Sequence, residues 1–259
     1  MSVELLQLTD LHLLADPADT ILGVPPRTTL RKVVAEARTH AWDLALLTGD
    51  LSQDGTPTAY EGVRKLVDPL DTSFYWVPGN HDQPAVMDRT LDTSPFRTDR
   101  AFGVGAWRVV MLDTALLDET HGRLSAEELA FLEESLSAYP NRPTLVAMHH
   151  SPVPVGSDWL DPLNLRQPGA FRQIIEAHPQ VRLVLFGHVH QQVDTRWGDT
   201  HLYGCPSTCF QFAPESEEFR VEDADPGYRR VGLQDDGGFD VSLHRVEAPH
   251  IADLEADGY

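Results

Sequence analysis

Short apolar runs and amphipathic segments alternate between residues 3 and 191 of the chain. The apolar runs have the length of buried strands, and we predict strands at residues 3–8, 43–47, 74–77, 107–112, 144–148 and 181–186. Helical periodicity between these runs predicts helices at residues 29–40, 58–67, 125–139 and 168–177. Such alternation is typical of βαβ units, so the pattern predicts an α/β protein with a largely parallel sheet in its N-terminal part.

Local signals add detail at three places. Ser125 and Glu128 have the spacing of a capping box, which marks the start of the helix at 125–139. Beyond Gln191 the pattern changes to short strands separated by turns, and residues 228–233 and 239–246 are predicted to form a hairpin. The polar, acidic residues 247–259 are predicted to be a loose tail on a domain of residues 1–246.

The composition is that of an ordinary globular protein, and the sequence also indicates where the protein is located. The chain has 259 residues, of which 41% are hydrophobic and 23% charged. No apolar run approaches the roughly 20 residues that span a bilayer. The sequence MSVELLQLTD at the start lacks the basic region of a secretory signal. We therefore predict a cytoplasmic protein with no membrane partner.

The charge balance is strongly acidic, with a formal net charge of −20. This argues against a nucleic-acid polymer as partner, because nothing in the sequence resembles a basic stripe. The same charge would repel a small anionic substrate such as a phosphate ester. A phosphate site in this chain therefore needs its own local positive charge, which metal ions would supply.

Two cysteines, Cys205 and Cys209, lie four residues apart. A disulfide between them would be geometrically awkward on one strand and rare in a cytosolic protein. They could also be soft metal ligands, but no second cysteine pair completes a zinc site. We interpret them as two small, partly buried residues.

Residues with metal-binding side chains follow the apolar runs where the strands should end. The clusters are residues 10–12 (Asp-Leu-His), 49–50 (Gly-Asp), 79–82 (Gly-Asn-His-Asp), 149–150 (His-His) and 187–190 (Gly-His-Val-His). Ligands of open α/β sheets gather beyond the carboxyl ends of the strands, so we expect these clusters to converge. The glycines before Asp50, Asn80 and His188 permit tight turns and close backbone approach.

These residue types suit a pair of metal ions. A carboxylate can bridge two cations, imidazoles bind transition metals, and an amide oxygen adds coordination without charge. Two cations about 3.5–4 Å apart can clamp a phosphoryl group and activate a water. Oxygen and nitrogen donors without a thiolate indicate Fe, Mn, Zn or Co rather than a structural zinc site.

Each fragment also has an ordinary structural explanation. An Asp-x-His after a strand is often a turn with a surface histidine, and Gly-Asp and Gly-Asn are common turn sequences. A His-His pair can be one core and one exposed residue. The fragments become informative together, because they occur in one order and each follows a predicted strand.

That order of motifs resembles the calcineurin-like metallophosphoesterases, and no motif residue is missing. The resemblance implies two metal ions, of which the first is held by Asp10, His12, Asp50 and His190. It implies that the second is held by Asp50, Asn80, His149 and His188, with Asp50 as the bridge. In the family pattern His81 faces the substrate, and Asp82 would orient it through a hydrogen bond. The preference for His149 over His150 follows the family alone.

Further segments narrow the resemblance to the bacterial class III cyclic-nucleotide phosphodiesterases. The similar segments are residues 22–24, 48–54, 121–125, 159–161, 186–191, 206–212 and 226–229, and the similarity runs from about Val3 to Val246. It implies a four-layer αββα sandwich of two mixed sheets flanked by helices. It also implies hydrolysis of 3′,5′-cyclic AMP to 5′-AMP, a small-molecule substrate.

The expected reaction is attack on the phosphodiester by a metal-bound hydroxide, because the motifs contain no protein nucleophile. Ser52 and Ser151 lie next to the clusters, but neither has a base positioned to activate it. The expected catalytic residues are His81 and Asp82. Substrate contacts are expected from Asn80, His81 and Trp159.

Several alternatives stay open from the sequence. One is a broader phosphodiesterase acting on glycerophosphodiesters or other small diesters. Another is a scaffold of the same fold whose site has decayed into a protein-binding surface, although the intact ligand set and His81 argue against decay. Asn164 and Phe210 are further candidates for the pocket wall. The alternative is ordinary packing for Phe210 and for Trp159, and a surface turn for Asn164. The identity of the metals and the choice between monomer and homodimer are also open.

Overall fold

Two mixed sheets of six strands each form the centre of the fold in the computed structural model, which describes residues 2–249 and 252–258. The first sheet has the order β14-β13-β1-β2-β3-β4 and comprises Ser2–Leu8 (β1), Leu44–Thr48 (β2), Ser73–Val77 (β3), Phe96–Arg97 (β4), Gly227–Gln234 (β13) and Phe239–Arg245 (β14). The second has the order β5-β6-β7-β8-β10-β9 and comprises Ala101–Val104 (β5), Trp107–Met111 (β6), Thr144–Ala147 (β7), Val181–Phe186 (β8), Val193–Trp197 (β9) and Thr200–Gly204 (β10).

Five α-helices cover the outer faces of the sheets in the described part of the chain. They are Pro26–Ala37 (α1), Pro57–Val67 (α2), Pro84–Leu91 (α3), Ala126–Ser137 (α4) and Gly169–Ala177 (α5). A small ribbon pairs Gln211–Phe212 (β11) with Val221–Glu222 (β12). The expected four-layer αββα sandwich is confirmed.

Alternating side chains of the strands separate the layers. On β1, Leu6 and Leu8 face the core shared with α1, α2 and α3, whereas Leu5 faces the core between the sheets. In that middle core Leu5 shares a cluster with Trp107 and Leu183 of the second sheet. Full burial of such a side chain stabilises the fold by about 1.5–3 kcal/mol. The period of two along β1 therefore directs one face of the strand to the helices and the other face to the second sheet.

The predicted strands lie within one or two residues of the observed ones, and the helix boundaries differ more. Helix α1 begins at Pro26, three residues before the predicted start, because proline is well tolerated in a first turn. Helix α3, strands β4 and β5 and the ribbon were not predicted from the sequence.

The predicted parallel sheet in the N-terminal part is confirmed, because strands β1, β2, β3 and β4 all pair in parallel. The sheet as a whole is mixed, because the predicted C-terminal hairpin (β13–β14) joins it. Strand β13 pairs antiparallel with β1, with Ser2 opposite Gln234 and Gln7 opposite Arg229. The last strand of the domain therefore lies two places from the first strand.

The predicted capping box at α4 is formed by half. Ser125 Oγ accepts a hydrogen bond from the Glu128 amide at 3.2 Å. The Glu128 carboxylate turns elsewhere and binds Arg100 at 2.6 Å and the Asp113 amide at 3.1 Å. The glutamate therefore ties the helix to the neighbouring loops instead of closing the box.

The C-terminal segment is less loose than predicted where the structure describes it. Ala248 is 7% exposed, and the Asp253 amide donates to the Leu22 carbonyl at 2.8 Å. His250, Ile251 and Tyr259 belong to the predicted tail and lie outside the described residues. Cys205 and Cys209 are buried and unbonded to each other, as interpreted from the sequence. No helix among the described residues has both the length and the apolar character needed to cross a bilayer.

Candidate metal centre

The polar clusters meet at one edge of the sandwich, where β1, β2, β3, β7 and β8 end. Gln7 links the two sheets there, since its Nε2 donates to Thr48 Oγ1 at 3.0 Å and to the Phe186 carbonyl at 3.1 Å. The Gly187 amide donates to the His149 carbonyl at 2.9 Å. The loops that follow the strands are therefore fixed against one another, and the convergence expected from the sequence is observed.

One group of donors comes from the ends of β1 and β8. Asp10 Oδ1 lies 3.3 Å from His190 Nε2, and His12 Nε2 lies 3.1 Å from His190 Nε2. All three side chains are buried, with at most 1% exposed. Their ligand atoms lie within 4.8 Å of one another, which is close enough to share one cation.

The Nε2 atoms of the two histidines in this group face each other. The Nδ1–H of His190 donates to the Phe210 carbonyl at 2.9 Å, and the Nδ1–H of His12 donates to Gln53 Oε1 at 2.7 Å. Nδ1 is therefore engaged in both rings, and Nε2 is the atom of each ring that is available to a ligand. The two Nε2 atoms lie 3.1 Å apart, and Asp10 Oδ1 lies 3.3 Å from that of His190, so the three donors fit a metal ion.

A second group comes from the ends of β3, β7 and β8. His149 Nε2 lies 3.2 Å from Asn80 Oδ1, and His188 Nδ1 lies 3.0 Å from the same oxygen. The Nδ1–H of His149 donates to the Thr48 carbonyl at 2.8 Å, so its Nε2 is the atom available to a ligand. These nitrogen and oxygen donors fit a second ion of the same chemical class.

Asp50 lies between the two groups. Its Oδ2 is 3.3 Å from His149 Nε2 and 3.9 Å from His12 Nε2. Its Oδ1 accepts a hydrogen bond from the His81 amide at 2.9 Å, which fixes the carboxylate. A carboxylate in this position can contact ions in both groups, as a bridge requires.

Burial and charge set the protonation of the metal-free cluster. Burial lowers the pKa of His12 and that of His188 to about 3, so both rings are neutral. For His149, burial acts in the same direction but is outweighed by the charge and hydrogen bond of Asp50, and the pKa rises to about 9. Although burial opposes it, the charge of His149 holds the pKa of Asp50 well below its usual value. The metal-free cluster therefore holds a proton on His149, beside Asp50.

The backbone at the site is in an uncommon conformation. Left-handed φ angles occur at Asp10 (+52°), His12 (+49°), Asp50 (+49°), His188 (+67°) and His190 (+49°). Such angles are uncommon for residues with a Cβ and cluster at functional sites. They turn the chain sharply at the strand ends, so that both members of an Asp-x-His or His-x-His pair face the cluster.

The three glycines that precede Asp50, Asn80 and His188 are required by close contact. A Cβ on Gly79 would lie 2.1 Å from Asp50 Oδ1, and a Cβ on Gly187 would lie 2.0 Å from Thr9 Oγ1. A Cβ on Gly49 would lie 2.3 Å from His149 Nδ1. The expectation of close backbone approach is confirmed at all three positions.

The structure distinguishes the roles of His149 and His150, which could not be told apart from the sequence. His149 points its Nε2 at Asp50 and Asn80. His150 instead has Nδ1 2.8 Å from Thr114 Oγ1 and Nε2 3.3 Å from the Thr120 carbonyl. Burial lowers the pKa of His150 well below its ordinary value, so the ring is neutral. The geometry favours His149 as the ligand.

Asp82 connects the loops that carry the ligands. Its oxygens accept hydrogen bonds from the amides of Leu51 (3.2 Å), Ser52 (3.0 Å) and Gly79 (2.9 Å) and from the Tyr60 hydroxyl (3.1 Å). Burial and the nearby Asp50 charge raise the pKa of Asp82 to about 7. These bonds indicate that Asp82 holds the loops after β2 and β3 together. Its orienting effect on His81 stays a prediction.

His81 and an aromatic cluster lie around the metal-binding groups. His81 is partly exposed, with its ring edge-on to His12 at 5.2 Å between centroids. Phe212 stacks on His190 at 4.5 Å, and Trp159 contacts Phe212 edge-on at 4.9 Å. Trp159 is partly exposed and is therefore accessible as a wall.

The two other wall candidates lie in the interior. Phe210 is 1% exposed and packs against His12 and His190, and Asn164 is 5% exposed and donates to Asp161 at 3.2 Å. Phe210 follows the alternative of ordinary packing, whereas the burial of Asn164 contradicts the surface turn that was its alternative. Gln53 and Tyr60 were not predicted as site residues; Gln53 supports the site through a hydrogen bond to His12, and Tyr60 through a hydrogen bond to Asp82.

Comparison with known proteins gives matches over most of the chain. A family model described as calcineurin-like phosphoesterase matches residues 3–192. The chain is 40% identical to the 3′,5′-cyclic adenosine monophosphate phosphodiesterase CpdA of Pseudomonas aeruginosa, covering 100% of this chain and 96% of that protein. It is 37% identical to a 3′,5′-cyclic-nucleotide phosphodiesterase of Nostoc, covering 95% of this chain and 93% of that protein.

Solved structures with a similar fold are more distant in sequence. A dimetal phosphatase from Danio rerio matches with a TM-score of 0.67 at 15% identity, covering 95% of this chain and 99% of that one. A purple acid phosphatase from yellow lupin matches with a TM-score of 0.70 at 13% identity, covering 96% of this chain and 53% of that one. At these identities the structural matches concern the fold alone.

Proposed function

Because the chain belongs to the calcineurin-like phosphoesterase family, we propose that it is a dinuclear-metal phosphodiesterase that hydrolyses 3′,5′-cyclic AMP to 5′-AMP. One observation carries the proposal: seven donor side chains meet in two groups that share Asp50. The substrate is supported by the relative from Pseudomonas aeruginosa, which is 40% identical and matches over the full length of this chain.

The proposed ligands follow the two groups of donors. The first ion would be held by Asp10, His12, Asp50 and His190, and the second by Asp50, Asn80, His149 and His188. When bound, such a pair neutralises the charge of a phosphodiester and lowers the pKa of a water molecule at the site. The donor set supports Fe, Mn, Zn or Co and does not distinguish among them.

The ligand charges explain how an acidic protein can bind an anion. The proposed set contains two carboxylates, four imidazoles and one neutral amide. Two divalent ions would leave the site with a surplus of positive charge, although the whole chain has a formal net charge of −20. The attraction would be local, because charges more than about 10 Å away are largely screened by salt.

In the proposed reaction a water molecule releases a proton to solvent and its oxygen forms a bond to phosphorus, while the bond from phosphorus to the 3′ oxygen breaks. The 3′ oxygen leaves with the bonding electrons and must gain a proton. His81 is the proposed donor, because its partly exposed ring lies beside His12 at the edge of the donor cluster. Asp50 is held by the His81 amide, so the same residue fixes the proposed bridge.

The purine base would extend toward the aromatic residues. Trp159, Phe212 and His190 form a continuous series of ring contacts that leads away from the first group of donors. We assign the exposed part of Trp159 to the wall that contacts the base, since base–aromatic stacking contributes about 1–3 kcal/mol. Asn80 and His81 would contact the phosphate.

The decisive experiment is steady-state kinetics on metal-reconstituted protein with cyclic AMP, cyclic GMP and a glycerophosphodiester. Hydrolysis of cyclic AMP to 5′-AMP with the highest kcat/KM supports the proposal, and 3′-AMP as product contradicts it. Preference for the glycerophosphodiester favours the broader phosphodiesterase. Asp50→Asn is the matched inactive control, because it keeps the shape of the proposed bridge and removes its charge.

A cytoplasmic location is proposed as well. Two buried cysteines without a disulfide suit a reducing compartment, which supports the predicted cytoplasmic location. The catalytic domain is proposed to span residues 1–246, followed by the acidic segment 247–259. A homodimer stays a prediction that light scattering would test.

A further inference from the structure

His150 is a buried histidine that packs against two proposed ligands without being placed as a ligand itself. Its ring centroid lies 4.8 Å from that of His149 and 4.5 Å from that of His188. The side chain is 0% exposed. One of its ring nitrogens lies within 4.8 Å of ligand atoms of both neighbours, so proximity alone does not decide its role.

Its hydrogen bonds exclude it as a ligand. The Thr120 carbonyl can only accept, so the bond at 3.3 Å requires that His150 Nε2 carries the hydrogen. Nδ1 then accepts from the Thr114 hydroxyl at 2.8 Å. The Thr114 oxygen in turn accepts from the His150 amide at 3.3 Å. Both ring nitrogens are therefore used, and the ring is fixed in one tautomer.

The backbone on the other side of the ring leaves it no room to move. A Cβ on Gly122 would lie 2.3 Å from His150 Cγ, so the glycine lies directly against the imidazole. The Gly122 amide donates to the Asn164 carbonyl at 3.3 Å, and the Arg123 amide donates to the Thr114 carbonyl at 2.9 Å. Thr114, Thr120 and Gly122 thus enclose the His150 ring and hold it in place.

In the described part of the chain, His188 is the proposed histidine ligand whose second ring nitrogen lacks a hydrogen bond that would fix the orientation of its ring. A metal-binding histidine usually donates its second N–H to an oxygen, which fixes the ring. His12, His149 and His190 do this through Gln53, Thr48 and Phe210. The Nε2 of His188 is buried and has no hydrogen-bond partner among the described residues. Its ring orientation therefore depends on packing against its neighbours.

We propose that His150 is the positioning residue of the second metal position: its fixed ring holds the ring of His188 where another histidine ligand would have a hydrogen bond. The inference rests on the proposed metal centre. It goes beyond that proposal because it states that the ligands of the two metal positions are held differently, by hydrogen bonds at the first and partly by the His150 ring at the second. Loss of the His150 ring should weaken the second position, whereas Asp10, His12 and His190 keep their own support.

The test is the number and affinity of Mn²⁺ ions bound by His150→Ala, measured by equilibrium dialysis at buffered free Mn²⁺. We expect affinity for the second ion to fall about 10–100-fold while the first is unchanged. His150→Phe, which retains a ring between the same neighbours, should recover most of the lost affinity. The spin coupling between two Mn²⁺ ions in the EPR spectrum should weaken in the alanine variant and return in the phenylalanine variant.

Two further variants complete the design. Thr114→Val removes the hydroxyl bond at nearly constant volume and should weaken the second ion about fivefold, even if the alanine variant does not fold. His121→Ala is the matched control, because this neighbouring histidine is 9% exposed and its Nδ1 lies 3.3 Å from Glu119 Oε2; two-ion binding should be unchanged.

Three outcomes would overturn the inference. They are an equal loss of affinity for both ions, unchanged binding in both His150→Ala and Thr114→Val, and failure of His150→Phe to recover the affinity. A wild-type protein that binds only one ion would overturn it as well. Dialysis counts ions independently of turnover. Two-ion binding by wild-type protein that leaves cyclic AMP intact would therefore contradict the proposed function alone.

Discussion

Metal uptake by the metal-free protein should displace one proton from one proposed ligand, His149. Burial would lower the pKa of this ring, but the charges of Asp50 and Asp10 and the bonds to Asp50 and Thr48 raise its pKa to about 9. The rings of His12 and His188 behave in the opposite way, since burial lowers each pKa to about 3. These two ligands are already unprotonated at neutral pH.

The size of the effect follows from the pKa of His149. With a pKa of about 9, about 99% of molecules carry the proton at pH 7. A metal ion can bind Nε2 only after that proton leaves. Apparent affinity at pH 7 should therefore be about 100-fold lower than above pH 9, a difference of about 2.7 kcal/mol. Because the raised pKa favours the protonated ring, affinity should increase about tenfold per pH unit between pH 7 and 9.

Two measurements check this prediction. NMR of metal-free protein with labelled histidine should show the His149 ring titrating near pH 9, assigned by its absence in His149→Ala. Uptake of buffered Mn²⁺ at pH 7, 8 and 9 should follow the same proton. Asp50→Asn is the control for the cause, since removing the carboxylate charge should lower the pKa of His149. A ring that titrates near pH 6.5, or affinity that is constant from pH 7 to 9, would refute the reasoning.

Further predictions concern single side chains. His81→Ala should keep both ions and lose about 10²–10⁴-fold in turnover of diesters with poor leaving groups; equal losses for good leaving groups would exclude the proton-donor role. Trp159→Leu should raise KM for cyclic AMP about tenfold and leave KM for bis(p-nitrophenyl) phosphate unchanged. Gly79→Ala should lose at least one ion, measured by metal analysis, because its Cβ would lie 2.1 Å from Asp50 Oδ1, whereas Gly169→Ala meets nothing within 4 Å and should bind two. Tyr60→Phe should lower the free energy of unfolding in urea by about 1–2 kcal/mol, since it breaks a buried bond to a carboxylate; an unchanged value would contradict that account.

The buried strands could be predicted from sequence because their side chains carry the pattern. Strand β8 was predicted with its observed bounds, Val181–Phe186, since every residue but Arg182 is apolar. Strand β9 is an edge strand whose middle residues, Asp194 to Arg196, are exposed and polar, so it has no such pattern. The pairing of β13 with β1 joins residues more than 200 positions apart, and nothing local encodes it.

The candidate site divides in the same way. Its donors were identifiable because aspartate, asparagine and histidine after strands are chemically distinctive. Their supports were not, because the Thr48 and Phe210 carbonyls belong to the backbone and would be present with any residue there. His149 and His150 are adjacent in sequence, and their side chains point to different surroundings. Contacts with Thr114 and Thr120, which are distant in sequence, engage both ring nitrogens of His150.

The left-handed backbone at the proposed ligands has a consequence for protein design. Five of the seven residues have φ between +49° and +67°, at a cost of about 1 kcal/mol each in an unconstrained chain. A short peptide with the same Asp-x-His or His-x-His spacing would relax to other angles and separate the two donors. The surrounding sheets impose the conformation through contacts such as the Gly187–His149 backbone bond. A designer who wants this centre in another scaffold would need to copy the strand ends and their glycines together with the ligands.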